Sequence, residues 1–386
     1  MKTLFVTYHY LHGFGGSVFA SRAYVNAFAA LSERMTLLCP VTRKEGPEGL
    51  SEGIAVVPVL RSRNPLVYLR NYPLGILHRY YGLFQRVLRK GDFDTVVFDT
   101  CYASSQLIGA ARKAGCRIIT IHHNFQQEFV RDNYKGLVRL RMARLTRRCE
   151  GAAVLGSDLN ITLTEPDREL LRAAYAPAAR IEVGCMFESV PCGQTPDQVG
   201  GDETCHARSD VRHARPDRAS AFLITGNLSY PQTEQSLLPW LEHYWPILRA
   251  EVPDARLTVA GAHPSARLRE ACAAAGVTLV ANPPDMAPLL AASSCYICPT
   301  SLGGGIKLRI MDGLRCGLPV LTHAVSARGY ESLLGRCVFA YSDEEGFRSA
   351  LAQLRLGNLT SEDIRRDYYA RFGFEAGVER LKTMLG

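Results

Sequence analysis

The chain has 386 residues, 47% of them hydrophobic and 21% charged, with a formal net charge of +8. It is long enough for two ordinary domains and too apolar for a disordered chain. Having no run of about 18 apolar residues, it is not built to span a bilayer. Residues 1–185 hold 25 Lys and Arg against 15 Asp and Glu, and the remainder holds 20 against 22. The basicity therefore belongs to the first half, where it suits an anionic surface or substrate.

The opening MKTLFVTYHYLHGFGG carries one lysine and an apolar run of only about six residues before His and Gly, so it reads as a buried first strand rather than a secretory signal. After it, MTLLCPV, IAVVPV, TVVFDT, RIITIHH and LNITLT are short apolar runs, as expected of strands covered on both faces. Amphipathic stretches such as SVFASRAYVNAFAALS and ASSQLIGAARKAG fall between them. This is the βαβ rhythm of a parallel, doubly wound sheet. Between the first strand and the first helix, Gly13, Gly15 and Gly16 open a corner with Ser17 as a helix cap. Asp92-Phe93-Asp94 has the spacing of a metal-binding DxD, but it precedes TVVF where such a motif would follow a strand, so it reads as a turn. His122 and His123 close RIITIHH at the carboxyl edge.

Two stretches, residues 61–90 and 131–148, interleave Arg and Lys with Leu, Tyr and Phe. They predict contact with an anionic membrane surface. No nucleic-acid-binding module is present, and no nucleic-acid partner is expected. From Ser189 to Ala219 the rhythm stops in a stretch rich in Pro, Gly, Asp and Arg, which reads as a linker or mobile insertion.

The rhythm resumes at Ala221 with AFLITG, the helix QSLLPWLEHYWPILRAE, ARLTVAGA, the helix ARLREACAAAG, VTLVAN, the helix MAPLLAAS, SCYICPT and PVLTHAV; DIRRDYYARFGFEAGVERLKTML is helical. The fold class is therefore α/β, with two Rossmann-like doubly wound domains facing across a cleft. The divisions are 1–188, 189–220 as linker or mobile insertion, 221–365, and a terminal helix over 366–386. Ligands of such sheets bind outside the carboxyl ends of the strands. The twelve cysteines are scattered and read as reduced core thiols. Cys295 and Cys298 form a CxxC in a strand-like run without a second pair, so no metal is expected there.

The stretch SLGGGIKLRIMDGLRCGLPVL carries the chemistry. A strand precedes it and a helix, IKLRIMDGLRCG, follows, closed by Gly317 with Pro319 beyond. Gly303, Gly304 and Gly305 let backbone N–H groups approach a ligand, and Lys307 and Arg309 stand at the first helical turn. This is a site for a diphosphate. The spacing matches neither a P-loop nor a dinucleotide fingerprint.

The stretch also resembles the donor-binding segment of family 4, glycogen-synthase-like GT-B glycosyltransferases, whose pattern is roughly G-x-G-I-K/R-x-K-x-x-E-A-L/M-x-x-G-x-P-V. Upstream, ITGNLSYPQTEQSLLPWLEHYWPILRAEVPDARLTVAGAHP resembles the G-x-L/M-x-Y/F-P-x-N loop and the helix and strand after it. IHHNFQQEF resembles the H-N-x-E loop, and LNITLTEPDRELL a further first-domain segment. The resemblance implies a retaining, metal-free transfer of sugar from a nucleotide-diphosphate sugar to a glycan or lipid-linked acceptor, in cell-surface polysaccharide synthesis, by a cytoplasmic or peripheral inner-face enzyme. It puts the backbone of Gly303 to Ile306 and Lys307 on the diphosphate, Arg309 in place of the second lysine, and Asp312 in place of the glutamate that holds the donor ribose. Gly226 and Asn227 join the donor site, His123 meets the donor sugar or the reacting centre, and Gly15, Gly16 and Ser17 form an acceptor or phosphate loop. Departures are Thr233 for Asn, Gln126 for the H-N-x-E glutamate and Asp312 for Glu. Two alternatives stay open: an inert GT-B-like binding scaffold and a sugar-nucleotide epimerase of the same architecture.

Overall fold

The computed structural model describes residues 1–13, 15–42, 44–60, 74–104, 107–175, 178–190 and 220–386. The chain divides into two compact units, Met1–Gln194 with Phe372–Gly386, and Thr195–Arg371. Most of the expected linker and the first part of the 61–90 basic stretch lie outside the described residues.

In the first unit the elements run β1 (Lys2–Thr7), α1 (Gly16–Leu31), β2 (Arg34–Val41), β3 (Ala55–Leu60), α2 (Leu74–Lys90), β4 (Thr95–Asp99), α3 (Cys101–Ser104), α4 (Ile108–Lys113) and β5 (Arg117–His122). They continue with α5 (Gln126–Asn133), α6 (Gly136–Gly156), β6 (Leu159–Thr162), α7 (Glu165–Ala174) and β7 (Ile181–Val183). The described strands form one parallel sheet in the order β3-β2-β1-β4-β5-β6-β7. Its central strands are buried along their length, which is why their sequences are continuously apolar instead of alternating.

In the second unit come β8 (Ala221–Asn227), α8 (Pro231–Glu251), β9 (Arg256–Ala262), α9 (Ala266–Ala274), β10 (Thr278–Ala281), α10 (Ala287–Ala291), β11 (Cys295–Cys298), α11 (Arg309–Arg315), β12 (Val320–His323), β13 (Val338–Tyr341) and α12 (Glu344–Leu356). Its parallel sheet has the order β10-β9-β8-β11-β12-β13. One core joins Phe222, Trp240, Trp245, Val259, Ile297 and Phe347 from the sheet and its flanking helices. The residues after α12 form α13 (Ser361–Phe372) and α14 (Phe374–Leu385).

The final helical stretch is thus two helices, separated at Gly373. Within the first unit α14 lies against α1. Gly377 sits where a Cβ would be 2.3 Å from the Phe187 ring, and Arg117 and Arg180 donate to the Leu385 and Met384 carbonyls at 2.7 Å. The ten described cysteines are buried, Cys295 and Cys298 both within β11.

Each sheet reverses its winding once, between β1 and β4 in the first unit and between β8 and β11 in the second. Loops diverge at such a reversal and leave room beyond the strand ends, where ligands of doubly wound sheets bind.

Candidate active site

At the reversal in the second unit, β8 ends in Gly226 and Asn227. Beyond β11, Gly303 and Gly305 adopt φ of 80° and 69°, the left-handed region that glycine enters without cost. A Cβ on Gly303 would come within 2.7 Å of the Gln232 side-chain oxygen, so the end of that side chain would have to move to admit one.

The helix expected to carry both cations begins later than the sequence indicates. Its first residue is Arg309 and its last Arg315; Lys307 precedes it, as does the Gly303–Ile306 backbone. Cys316 ends the helix and Gly317 follows at φ 74°. Gly305 lies at positive φ, so no helix runs back through the glycine corner. Lys307 Nζ then turns back and donates to the carbonyls of Gly303 at 3.1 Å and Gly304 at 2.8 Å. The Lys307 carbonyl accepts from the Tyr330 hydroxyl at 3.0 Å.

Arg309 reaches across to β8. Its Nη2 donates to Thr233 Oγ1 at 3.3 Å, and its guanidinium lies so close to Gly226 that a Cβ there would be 2.7 Å from Nη1. That Nη1 is buried and has no hydrogen-bond partner among the described residues. Asp312 pairs with Arg315 at 3.0 Å. Asn227 Oδ1 accepts from the Ser229 amide and hydroxyl at 3.1 and 2.7 Å, so its oxygen shapes the loop that leads into α8.

In the first unit α1 is capped by Gly15, without a side-chain hydrogen bond. Ser17 is therefore not the cap; it and Gly16 lie inside the first turn. Asp92 and Asp94 stand at the amino end of β4, where Asp92 pairs with Lys2 at 2.5 Å and Asp94 accepts from the Lys2 amide at 2.9 Å. At the carboxyl end, β5 closes at His122, whose Nε2 bonds Asn160 Oδ1 at 3.0 Å. Burial pushes the His122 imidazole down to about 4, against the opposing Asn160 contact.

His123 turns the other way and donates from Nε2 to Asp99 Oδ1 at 2.5 Å. Asp99 closes β4 and is fully buried. Burial raises its carboxyl, but neighbouring His123, then the His123 hydrogen bond, His9 and Ser21 outweigh that and hold it at about 2. Asp99 lies in the expected strand TVVFDT and is not among the site residues expected from the sequence. The signal was there: a lone carboxylate ending an otherwise apolar strand next to the winding reversal.

Two further carboxylates fix the loop after His123. Asp167 accepts from the Phe125 amide at 2.9 Å. Glu150, inside α6, accepts from the Gln126 amide at 2.8 Å and the Tyr175 hydroxyl at 2.8 Å. Gln126, standing where the family motif has glutamate, is thus held through its backbone.

The comparisons agree with this architecture. A model of the group 1 glycosyl transferases matches residues 219–355, and a glycosyl transferase 4-like domain model matches residues 15–185. No curated protein sequence matches the chain. Among solved structures, sucrose-phosphate synthase from Thermosynechococcus elongatus is similar at TM-score 0.67 and 13% identity, covering 100% of this chain and 98% of that one. Anabaena HepE in complex with UDP matches at TM-score 0.62 and 13% identity, covering 100% and 99%. A lipopolysaccharide outer core galactosyltransferase matches at 0.64 and 13%, again covering 100% and 99%. The fold is the two-domain Rossmann-like GT-B fold. The chain belongs to the group 1, family 4-type GT-B glycosyltransferases.

Proposed function

We propose that this glycosyltransferase moves a sugar, with retention at the anomeric carbon, from a nucleoside-diphosphate sugar held by the second unit to a glycan or lipid-linked acceptor in cell-surface polysaccharide synthesis. One observation carries the donor assignment. Arg309 presents a buried, unbonded Nη1 beside the glycine corner, at the winding reversal of its sheet. A desolvated guanidinium donor without a partner costs about 1–3 kcal/mol or more, and a planar, permanently charged fork suits phosphate oxygens. That a similar fold is solved with UDP supports the same ligand class.

Cleavage of the anomeric C–O bond gives an oxocarbenium-like centre and places charge on the departing diphosphate. Arg309, Lys307 and the Gly303–Ile306 amides stabilise that charge, so the reaction needs no metal and no cofactor in this reading. Lys307 exchanges its glycine carbonyls for phosphate oxygens. Asp312 takes the ribose hydroxyls while keeping its contact to Arg315.

A membrane-bound acceptor accounts for the first-unit surface. Along α6, Leu137 is 83% exposed and Val138 and Leu140 more than half exposed, and Lys135, Arg139, Arg141, Arg144, Arg147 and Arg148 are exposed around them. Bare apolar side chains among cations fit an anionic bilayer surface. Among the described residues no helix is long and apolar enough to cross a membrane, so the contact is peripheral.

Calorimetry with UDP, GDP, ADP and TDP tests the donor site. Tight binding of one, lost in Arg309→Ala and Lys307→Ala, is expected; no binding of any at millimolar concentration removes the assignment. Co-sedimentation with vesicles of phosphatidylglycerol and phosphatidylcholine tests the surface. Binding is expected to fall several-fold when Leu137, Val138 and Leu140 are all changed to Ser.

A further inference from the structure

Two of the departures from the family pattern meet in the second unit. Thr233 stands where the loop pattern has asparagine, and Arg309 stands where the glycine-corner pattern has its second lysine. The two positions are 76 residues apart and belong to different helices, α8 and α11. The fold nevertheless puts them in contact, with Arg309 Nη2 donating to Thr233 Oγ1 at 3.3 Å.

The two exchanges are reciprocal in length. A guanidinium Nη stands one bond farther from its Cα than a lysine Nζ, and a threonine Oγ1 stands one bond nearer than an asparagine Oδ1. Lysine facing asparagine and arginine facing threonine therefore span the same gap, and neither single exchange does. Arginine facing asparagine is one bond too long, in a place with little slack. Thr233 is 3% exposed, and beside the guanidinium a Cβ on Gly226 would already be 2.7 Å from Nη1. Lysine facing threonine is one bond short and leaves the hydroxyl without this donor.

The contact also sorts the nitrogens of the fork. The guanidinium is planar, so fixing one N–H direction fixes the others. With Nη2 spent on Thr233, Nη1 lies beside Gly226, buried and without a hydrogen-bond partner among the described residues. A lysine ammonium turns about its last bond and presents no one proton. Asp312, on the same helix, pairs with Arg315 at 3.0 Å, so the side chain hydrogen-bonded to the Arg309 fork is Thr233.

We propose that Thr233 is a positioning residue of the donor site, matched in length to Arg309. The pair replaces the lysine and asparagine of the family pattern as one unit and aims a single directed N–H, that of Nη1, at the donor diphosphate. The proposal rests on the donor reading above. It turns two departures that would each weaken a phosphate site into one exchange that preserves it.

Wild type, Thr233→Asn, Arg309→Lys and the double variant test it, each titrated calorimetrically with UDP, GDP, ADP and TDP and each unfolded thermally. For the nucleotide that binds, each single exchange is expected to lower affinity about 10-fold. The double variant is expected to return to within about threefold of wild type, because residues in contact do not act additively. The unfolding midpoint is expected to fall by about 2–4 °C in Thr233→Asn, from overpacking beside the guanidinium, and to recover in the double variant. Thr233→Ser keeps the hydroxyl and is expected to bind within about twofold of wild type, whereas Thr233→Val, of the same shape but with no acceptor, is expected to lose about 5- to 10-fold.

Affinity losses that add in the double variant overturn the matched pair. A Thr233→Val protein that binds as wild type does, whatever its midpoint, overturns the positioning role and leaves Thr233 a packing residue. If the wild type binds none of the nucleotides at millimolar concentration, the donor reading fails and the aim at a diphosphate falls with it. The midpoints then decide the matched pair alone: it stands if the double variant recovers and falls if the two losses add.

Discussion

The two winding reversals are built from opposite materials. In the second unit the strand ends offer backbone and fixed cations: Gly226, the 303–305 corner, Lys307 and Arg309. In the first unit they offer a buried side-chain network around Asp99, with hydroxyls and imidazoles in place of glycines. The ligand chemistry each can take explains the difference. Phosphate oxygens want converging N–H donors and positive charge, which glycine and Arg supply with little side-chain bulk. A sugar is neutral and rich in donors and acceptors, and is recognised by positioned polar side chains. On the reading proposed above, the same topology offers different chemistry to a ligand by what stands at the strand ends.

The contrast predicts that the first site is coupled to folding and the second mainly to binding. Asp99→Ala strips the acceptor from three donors, two hydroxyls and an imidazole, in a fully buried place. Stability is expected to fall by about 3 kcal/mol or more, since each buried donor left without an acceptor costs about 1–3 kcal/mol. Thermal or urea unfolding followed by circular dichroism measures it. A loss below about 1 kcal/mol would mean that the network relaxes and that the first site is as expendable to folding as the second.

Arg309→Ala is the converse. Its guanidinium makes one long hydrogen bond, to Thr233, so little stability should go with it. Nucleotide affinity is expected to fall about 10- to 100-fold, the worth of one or two charge-assisted hydrogen bonds. Gly226→Ala sharpens this without touching the charge. The added Cβ would stand 2.7 Å from Arg309 Nη1, so the guanidinium must move, and a smaller loss of affinity, about 5- to 10-fold, is expected by calorimetry. Unchanged affinity in Gly226→Ala would mean that the position of Arg309 over β8 is not the one used in binding.

How much of this was legible in the sequence depended on whether the signal was local. The central strands announced themselves because burial on both faces makes them apolar throughout, and the glycine corner because three glycines beside two cations are a local pattern. β7 and β13 passed unread; β7, at three residues, is too short for any periodicity. That no helix runs back through the glycine corner is set by the backbone angle at Gly305, which a run of identical glycines does not reveal. The Asp99 group was invisible for a deeper reason. Its members come from residues 7, 9, 21, 99 and 123, and only the parallel register of β1 with β4 and of β4 with β5 brings them together.

The last prediction concerns the loop that carries His123. Burial drives the Glu150 carboxyl up to about 7, against the Gln126 amide and the Tyr175 hydroxyl, which favour the ionised form. In the unfolded chain this group titrates near its ordinary value of 4.5. Between these values the folded protein holds a proton that the unfolded chain has released, so the contribution is present below 4.5 and is lost as pH rises through about 7. The expected size is on the order of 3 kcal/mol across that window. Glu150→Gln keeps an acceptor for the Gln126 amide and cannot ionise, so its stability should lack this fall while the rest of the pH curve is unchanged. Chemical denaturation at several pH values between 5 and 8 tests it. If the variant falls in parallel with the wild type, Glu150 is charged or solvated in the native state.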